Sequence, residues 1–276
     1  AGMAAFRLRA ECSGKLMSMT GIRLAQMVAN CATVWDTGHM PLQSPPPAPD
    51  DTGLLRGVAA TPMAYVQAIV QAFAARGLAP DAALLSAQIP PSSLRNHKGH
   101  ITAAQFEALS AAAMQALDDE ALGWFSRPLP WGSYGLLARA SLSAPTLGVA
   151  LKRWCRHHGL LTRDIRLELA VAGSTAAIVV HEPQPLPREV RELSLAFVLR
   201  NIHGLACWYV DSRIPLLAAR FPFAEPLHAD AYPHMFPAPL QFGAGAAAIA
   251  FDADYLKLPL RRDEKALSQM LQRALA

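Results

Sequence analysis

Seven side chains from separate segments of this sequence could share one piece of chemistry: Trp131, Tyr134, Arg139, Trp154, His158, His203 and Trp208. Small-molecule sites combine apolar walls with a few convergent polar groups. The tryptophans and Tyr134 would supply the walls, and Arg139 could grip a carboxylate through two parallel hydrogen bonds. The set therefore predicts a binding site for a small effector, and Arg139 points to one bearing a carboxylate. A packed core with two satisfied histidines explains the same residues, because helical spacing alone puts Trp154 and His158 on one face.

Other constellations are weaker. Cys155 and Cys207 lie near His158 and His203 in sequence, so a small enzyme with a Cys–His or His-rich site is an alternative. Both cysteines sit among apolar neighbours, which favours buried, inert thiols. The segments His97-Lys98-Gly99-His100 and His228 through His234 lack the helical ligand spacing and catalytic glutamate of zinc enzymes. No G-x-S-x-G, G-x-G-x-x-G or G-x-x-x-x-G-K-[ST] motif occurs, so neither a catalytic residue, a metal nor a cofactor is expected. The basic residues Lys152, Arg153, Arg156, Arg163 and Arg166 are interrupted by Asp164 and Glu168 and read as a solvated face rather than a DNA footprint.

The chain that must position these residues has 276 residues, 52% hydrophobic and 17% charged, with a net charge of +4. That composition supplies a sizeable core and excludes collagenous and disulfide-dense classes. The most apolar long stretch, Leu193 to Val210, contains Arg200, Asn201 and His203, which argues against a membrane span. Four scattered cysteines without a C-x-x-C pair suit a reducing, cytoplasmic setting.

Residues 1 to about 60 lack clear periodicity and include Pro45-Pro46-Pro47-Ala48-Pro49-Asp50-Asp51. They read as an extension and Pro-rich linker, poorly ordered, with a marginal helix over Leu16 to Val34. The folded part is expected from Thr61-Pro62, as N-cap and first helical residue, with Val66, Ile69, Val70 and Phe73 on one face. A short helix follows over Asp81 to Gln88. Thr102-Ala103-Ala104-Gln105 is a capping box, and Asp118-Asp119-Glu120 is expected to open another short helix. Helices over Ser133 to Leu142 and from Leu147 to Leu161 carry Tyr134, Arg139, Trp154 and His158. The period then changes to two over Ile165 to Val171, and Gly173-Ser174 turns the strand into Thr175 to His181.

A long helix from Pro187 to about His203 reads as central because it is apolar on more than one side. Ile214 to Phe221, Leu240 to Phe242 and Ala248 to Phe251 are strand-like, with a short helix near Ala229 to Met235. Asp263 caps a last helix with Leu267, Met270, Leu271 and Leu275 on one face. The expected fold class is α+β: a helical N-terminal half packed on a small, mostly antiparallel sheet. The stripe of the last helix needs a partner surface, so a homodimer is expected.

Several blocks resemble a known family. Trp131-Gly132-Ser133-Tyr134-Gly135-Leu136-Leu137 runs into Arg139 to Gly148 and on to Leu151-Lys152-Arg153-Trp154-Cys155-Arg156-His157-His158. His203 to Trp208, Asp211 to Leu216, and Phe221-Pro222-Phe223 with Pro226, His228, Tyr232, Phe236, Phe242 and Phe251-Asp252 follow. Leu258 to Glu264 closes the series. In this order they resemble the so-called arabinose-binding half of AraC-type bacterial transcription regulators, over about Thr61 to the end. The resemblance implies an effector-sensing and dimerisation domain at 61–262. Residues 263–276 would begin a helix toward a module of two helix-turn-helix motifs, which residues 1–276 lack. Promoter DNA would then be contacted only through that module. A stand-alone small-molecule-binding domain is the remaining alternative.

Overall fold

The structure, a computed structural model, describes residues 53–55 and 57–273. The Pro-rich run and the expected helix over residues 16–34 lie outside the described residues. Order reaches further toward the N-terminus than Thr61. Ala59–Pro62 forms strand β1, paired antiparallel with β2 (His100–Thr102), and the Thr102 hydroxyl donates to the Leu54 carbonyl at 2.5 Å. Thr61 therefore lies in a strand rather than capping a helix. Helix α1 (Met63–Ala74) begins one residue later than expected, with Pro62 at the N-cap and the Met63 N–H donating to the Gly99 carbonyl.

Helix α2 (Asp81–Ser86) precedes α3 (Ala103–Leu117), whose capping box forms as its sequence requires. The Gln105 N–H donates to the Thr102 hydroxyl at 3.1 Å, and the Thr102 N–H donates to the Gln105 side chain at 3.2 Å. The Gln105 amide also donates to the Ala87 and Gln88 carbonyls, tying α3 to the end of α2. Asp118-Asp119-Glu120 does not start a helix. Asp118 takes a left-handed conformation (φ 45°) that ends α3, and Asp119 and Glu120 turn inward. The next helices are α4 (Ser133–Leu142) and α5 (Leu147–Leu161), the latter capped by Thr146.

Five strands form the main sheet in the order β3-β4-β7-β5-β6. They are β3 (Arg166–Ala172), β4 (Thr175–His181), β5 (Leu216–Arg220), β6 (Leu240–Gln241) and β7 (Ala247–Asp252). The β3–β4 hairpin keeps unbroken register from Arg166↔His181 to Ala172↔Thr175. The sheet is mostly antiparallel, but β5 and β6 run parallel. The connection between those two strands crosses through α7 (Tyr232–Met235), so β6 returns in the same direction.

Alternation sends Ala176, Ile178 and Val180 of β4 and Ala247, Ile249 and Phe251 of β7 inward. They contribute to one continuous core with the apolar residues of the helices. Helix α6 (Arg188–Val210) runs through that core and touches both halves: α1 and α5 on one side, β4 and β7 on the other. Among the described residues it is the helix long and apolar enough to cross a membrane, and 89% of its most apolar window is buried in this fold. Two of its polar groups are met by protein: Arg200 Nη1 donates to the Met235 carbonyl at 2.8 Å, and His203 Nε2–H donates to the Ile214 carbonyl at 2.8 Å, whereas the buried Asn201 Oδ1 has no partner.

Candidate functional site

Helices α4 and α5 lie side by side and bring three of the seven predicted residues together. Trp154 and His158, one turn apart on α5, are each 1% exposed, and Tyr134 on α4 is 2% exposed. The Tyr134 and Trp154 rings are nearly parallel (11°) with centroids 6.0 Å apart, and the His158 ring is also 6.0 Å from Tyr134. Phe125 meets His158 edge-on at 6.2 Å. The Tyr134 hydroxyl, Trp154 Nε1 and both ring nitrogens of His158 are buried without a hydrogen-bond partner. Burial pushes His158 down to about 4, so the ring is neutral at pH 7. Burial also raises the Tyr134 phenol, reinforced by the Glu120 and Asp119 charges.

Two buried acids that sequence reasoning assigned to a helix instead position this cluster. Glu120, 1% exposed, accepts from the Gly132 N–H at 2.7 Å through Oε1 and from the Tyr134 N–H at 2.8 Å through Oε2. It is thus the cap that Gly132 cannot provide for α4; Gly132 itself sits at φ 96°, where glycine is favoured. Desolvation drives Glu120 up to about 7 against the pull of those two N–H groups. Asp119 is fully buried and accepts from the Ala121 and Leu129 N–H groups at 3.0 and 2.9 Å. It also accepts from the Gly123 N–H at 2.8 Å and pairs with Arg76 at 2.6 Å. The Trp131 N–H donates to Asp118 at 3.1 Å, so three consecutive acids organise the loop that launches α4.

The other predicted residues have different surroundings. Arg139 Nε donates to Glu264 at 2.7 Å, with side chains 40% and 59% exposed, and so joins α4 to helix α8 (Glu264–Arg273). That engagement removes the ground for expecting a carboxylate effector. The Trp208 ring lies under the Arg262 guanidinium at 5.7 Å, and Arg262 also pairs with Asp211. Trp131 is half-buried and makes no ring contact with the three cluster residues. His203 spends its Nε2 proton on Ile214 and is pushed down to about 4 by burial, with Cys207 Sγ 3.6 Å away. Burial pushes the Cys155 thiol up to about 12. That environment does not favour the Cys155 thiolate that catalysis would require, and Cys207 is buried at 5% exposure.

A second polar network holds α6 to the β5–β6 connection. Glu192 Oε1 accepts from the Tyr232 hydroxyl at 2.8 Å and meets His228 Nε2 at 2.7 Å. Among the described residues no group of His, Cys, Asp or Glu has the makings of a metal site.

Helix α4 is held by two further contacts, one in its first turn and one in its middle. The Ala138 carbonyl accepts the Tyr209 hydroxyl at 2.8 Å, and Leu271 of α8 lies against Gly135. Leu267 and Leu271 are 0% and 3% exposed, so α8 buries these two residues on its own domain, and they give no ground for the expected homodimer. Residues 77–260 match the family described as the arabinose-binding domain of AraC transcription regulator, N-term. The chain belongs to that family. Among curated relatives, the ornithine utilization regulator of Pseudomonas aeruginosa is 24% identical over 212 residues, 76% of this chain and 62% of the relative. The chain therefore spans less than two thirds of that relative's length. The crystal structure of the transcriptional regulator CdpR from Pseudomonas aeruginosa is 18% identical, with a TM-score of 0.40 over 74% of this chain and 66% of that one, a likeness too distant to carry an argument.

Proposed function

We propose that this domain senses a small molecule for a cytoplasmic AraC-type transcription regulator and passes its state to a DNA-binding module elsewhere in the regulator. Family membership supports the sensing role. The observation that carries the mechanism is the double attachment of α4. Its first turn bears Tyr134 in the ring cluster and Gly135 against Leu271 of α8, and Arg139, about a turn further on, pairs with Glu264 of α8. A ligand that favours one position of α4 must then favour one seating of α8, and only such a difference in affinity shifts the equilibrium. On this reading α8 leads toward the DNA module, the regulator acts as a homodimer, and promoter DNA is touched outside residues 61–262.

The domain carries no catalytic role in this reading, and the raised Cys155 thiol supports that. The relative's printed role concerns ornithine utilization. Ornithine carries three charges at neutral pH, and the α4–α5 cluster has no unspent charge to meet them, so ornithine is not assigned here. The test is uncoupling. In the full-length regulator, Leu271→Ala should leave effector binding intact by thermal shift while promoter output stops responding. An unchanged transcriptional response would remove α8 from the route.

A further inference from the structure

Three aromatic side chains between α4 and α5 present four buried polar atoms with nothing to bond to: the Tyr134 hydroxyl, Trp154 Nε1 and both nitrogens of His158. Buried polar groups in native proteins are nearly always satisfied, and each exception calls for a physical explanation. Of eleven such atoms among the described residues, four lie together here, whereas others, among them Tyr65 Oη, Ser110 Oγ and Asn201 Oδ1, belong to other segments. The four sit on rings whose centroids are 6.0 Å apart, on the two helices of the site just described. Resting on the sensing role proposed above, we infer that Tyr134, Trp154 and His158 form the effector site and that its ligand is a small, uncharged, carbonyl-bearing molecule.

The donor and acceptor inventory sets that class. An indole N–H can only donate, a neutral imidazole offers one donor and one acceptor, and a phenol offers both. The set is rich in donors, which a carbonyl oxygen satisfies, and it keeps acceptors for a ligand N–H or O–H. Formal charge has no partner here. The Arg139 guanidinium is engaged by Glu264, and Arg76 is engaged by Asp119. Both Glu120 oxygens are taken by the Gly132 and Tyr134 backbone, and Asp119 accepts from three backbone N–H groups besides Arg76. An anion would face those two acids, and a cation would find their oxygens already committed. The flat rings of Tyr134, Trp154 and Phe125 suit a planar ligand. Trp154 and His158 are each 1% exposed, so entry requires α4 to move on α5. That movement is what couples occupancy to α8. Buried water is the rival explanation for the same atoms, since such waters satisfy about three polar groups each.

The experiment uses the 276-residue chain with benzamide, benzoate and benzylamine, which share a ring and differ in charge. Melting temperature and tryptophan fluorescence are read at millimolar probe. Benzamide should raise the melting temperature by mass action and change the fluorescence, and the two charged probes should do neither. Tyr134→Phe should weaken benzamide about tenfold, the loss of one hydrogen bond, while the unliganded melting temperature stays the same or rises. Binding of a charged probe in benzamide's place, binding by none of the three, or benzamide binding unchanged in Tyr134→Phe would overturn the site. So would a marked fall in the unliganded melting temperature of Tyr134→Phe, because the hydroxyl would then be a satisfied structural group. None of these results touches the sensing role, which fails separately if the full-length regulator's promoter output responds to no cellular metabolite.

Discussion

Asp119 is the residue whose removal should cost this fold most for its size. Its carboxylate is fully buried and accepts from Ala121, Gly123, Leu129 and Arg76. In Asp119→Ala the Arg76 guanidinium can rehydrate, because its side chain is already 27% exposed. The Ala121 and Leu129 amides cannot, since both residues are 0% exposed. An orphaned buried donor costs about 1–3 kcal/mol, and two of them with the lost ion pair sum to roughly 3–5 kcal/mol. For a domain of this size that is roughly 6–20 °C in melting temperature. Arg76→Ala leaves Asp119 its three backbone donors and should cost only about 1–2 kcal/mol. Urea denaturation gives both values, and amide exchange at Ala121 and Leu129 should speed up in Asp119→Ala alone. If Asp119→Ala costs under about 1 kcal/mol, or no more than Arg76→Ala, the loop is not organised by this carboxylate.

Leu271→Ala should destabilise by about 2–4 kcal/mol because it empties a buried seat on α4, whereas the exposed Arg139→Ala should cost under about 0.5 kcal/mol; calorimetry separates the two. Gln105→Ala should cost more than Thr102→Ala, about 2 against about 1 kcal/mol, since Gln105 also serves the Ala87 and Gln88 carbonyls just after α2; equal losses in urea melts would refute the tie. His158 is depressed from 6.5 to about 4, so it favours the folded state above pH 6.5 and that contribution is lost as pH falls toward 4. His158→Phe should therefore lose about 2 kcal/mol less stability than the parent between pH 7 and pH 5, measured by urea denaturation at each pH. Glu120, raised from 4.5 to about 7, works in the opposite sense, and Glu120→Gln should remove a loss of stability that develops as pH rises from 4.5 to 7.

What the sequence shows of this fold is what local spacing controls. The Thr102–Gln105 capping box, the shared face of Trp154 and His158, and the Gly173-Ser174 turn of the β3–β4 hairpin are each set within a few residues, whereas the alternation expected through β3 fails at Val171, which is 54% exposed. Asp118-Asp119-Glu120 reads as a helix start because acids favour first turns. Its real role depends on backbone donors at Leu129, Gly132 and Tyr134 and on Arg76, none of which has a sequence signature. The Arg139–Glu264 pair joins opposite ends of the domain, so an arginine beside aromatic residues looked like a ligand clamp. Strand alternation is blind to direction, which left the parallel β5–β6 pairing unseen. The ring cluster itself was half legible: residue types and helical spacing picked Tyr134, Trp154 and His158, but not which of the seven would be left without polar partners.

Helix α6 gives the domain its cooperativity. It packs on α1 and α5 and also on β4 and β7, so the helical half and the sheet share one wall. Neither half can open without exposing that wall, and an intermediate with only one half folded would leave a long apolar surface bare to water. The two halves should therefore exchange their slowest amide protons at a common rate, set by global unfolding. Cutting the chain between β4 and α6 would yield two insoluble fragments, not two small domains. Evolution of a new effector preference is confined by the same wall: the α4–α5 side can change its rings freely only while the face of α6 stays filled.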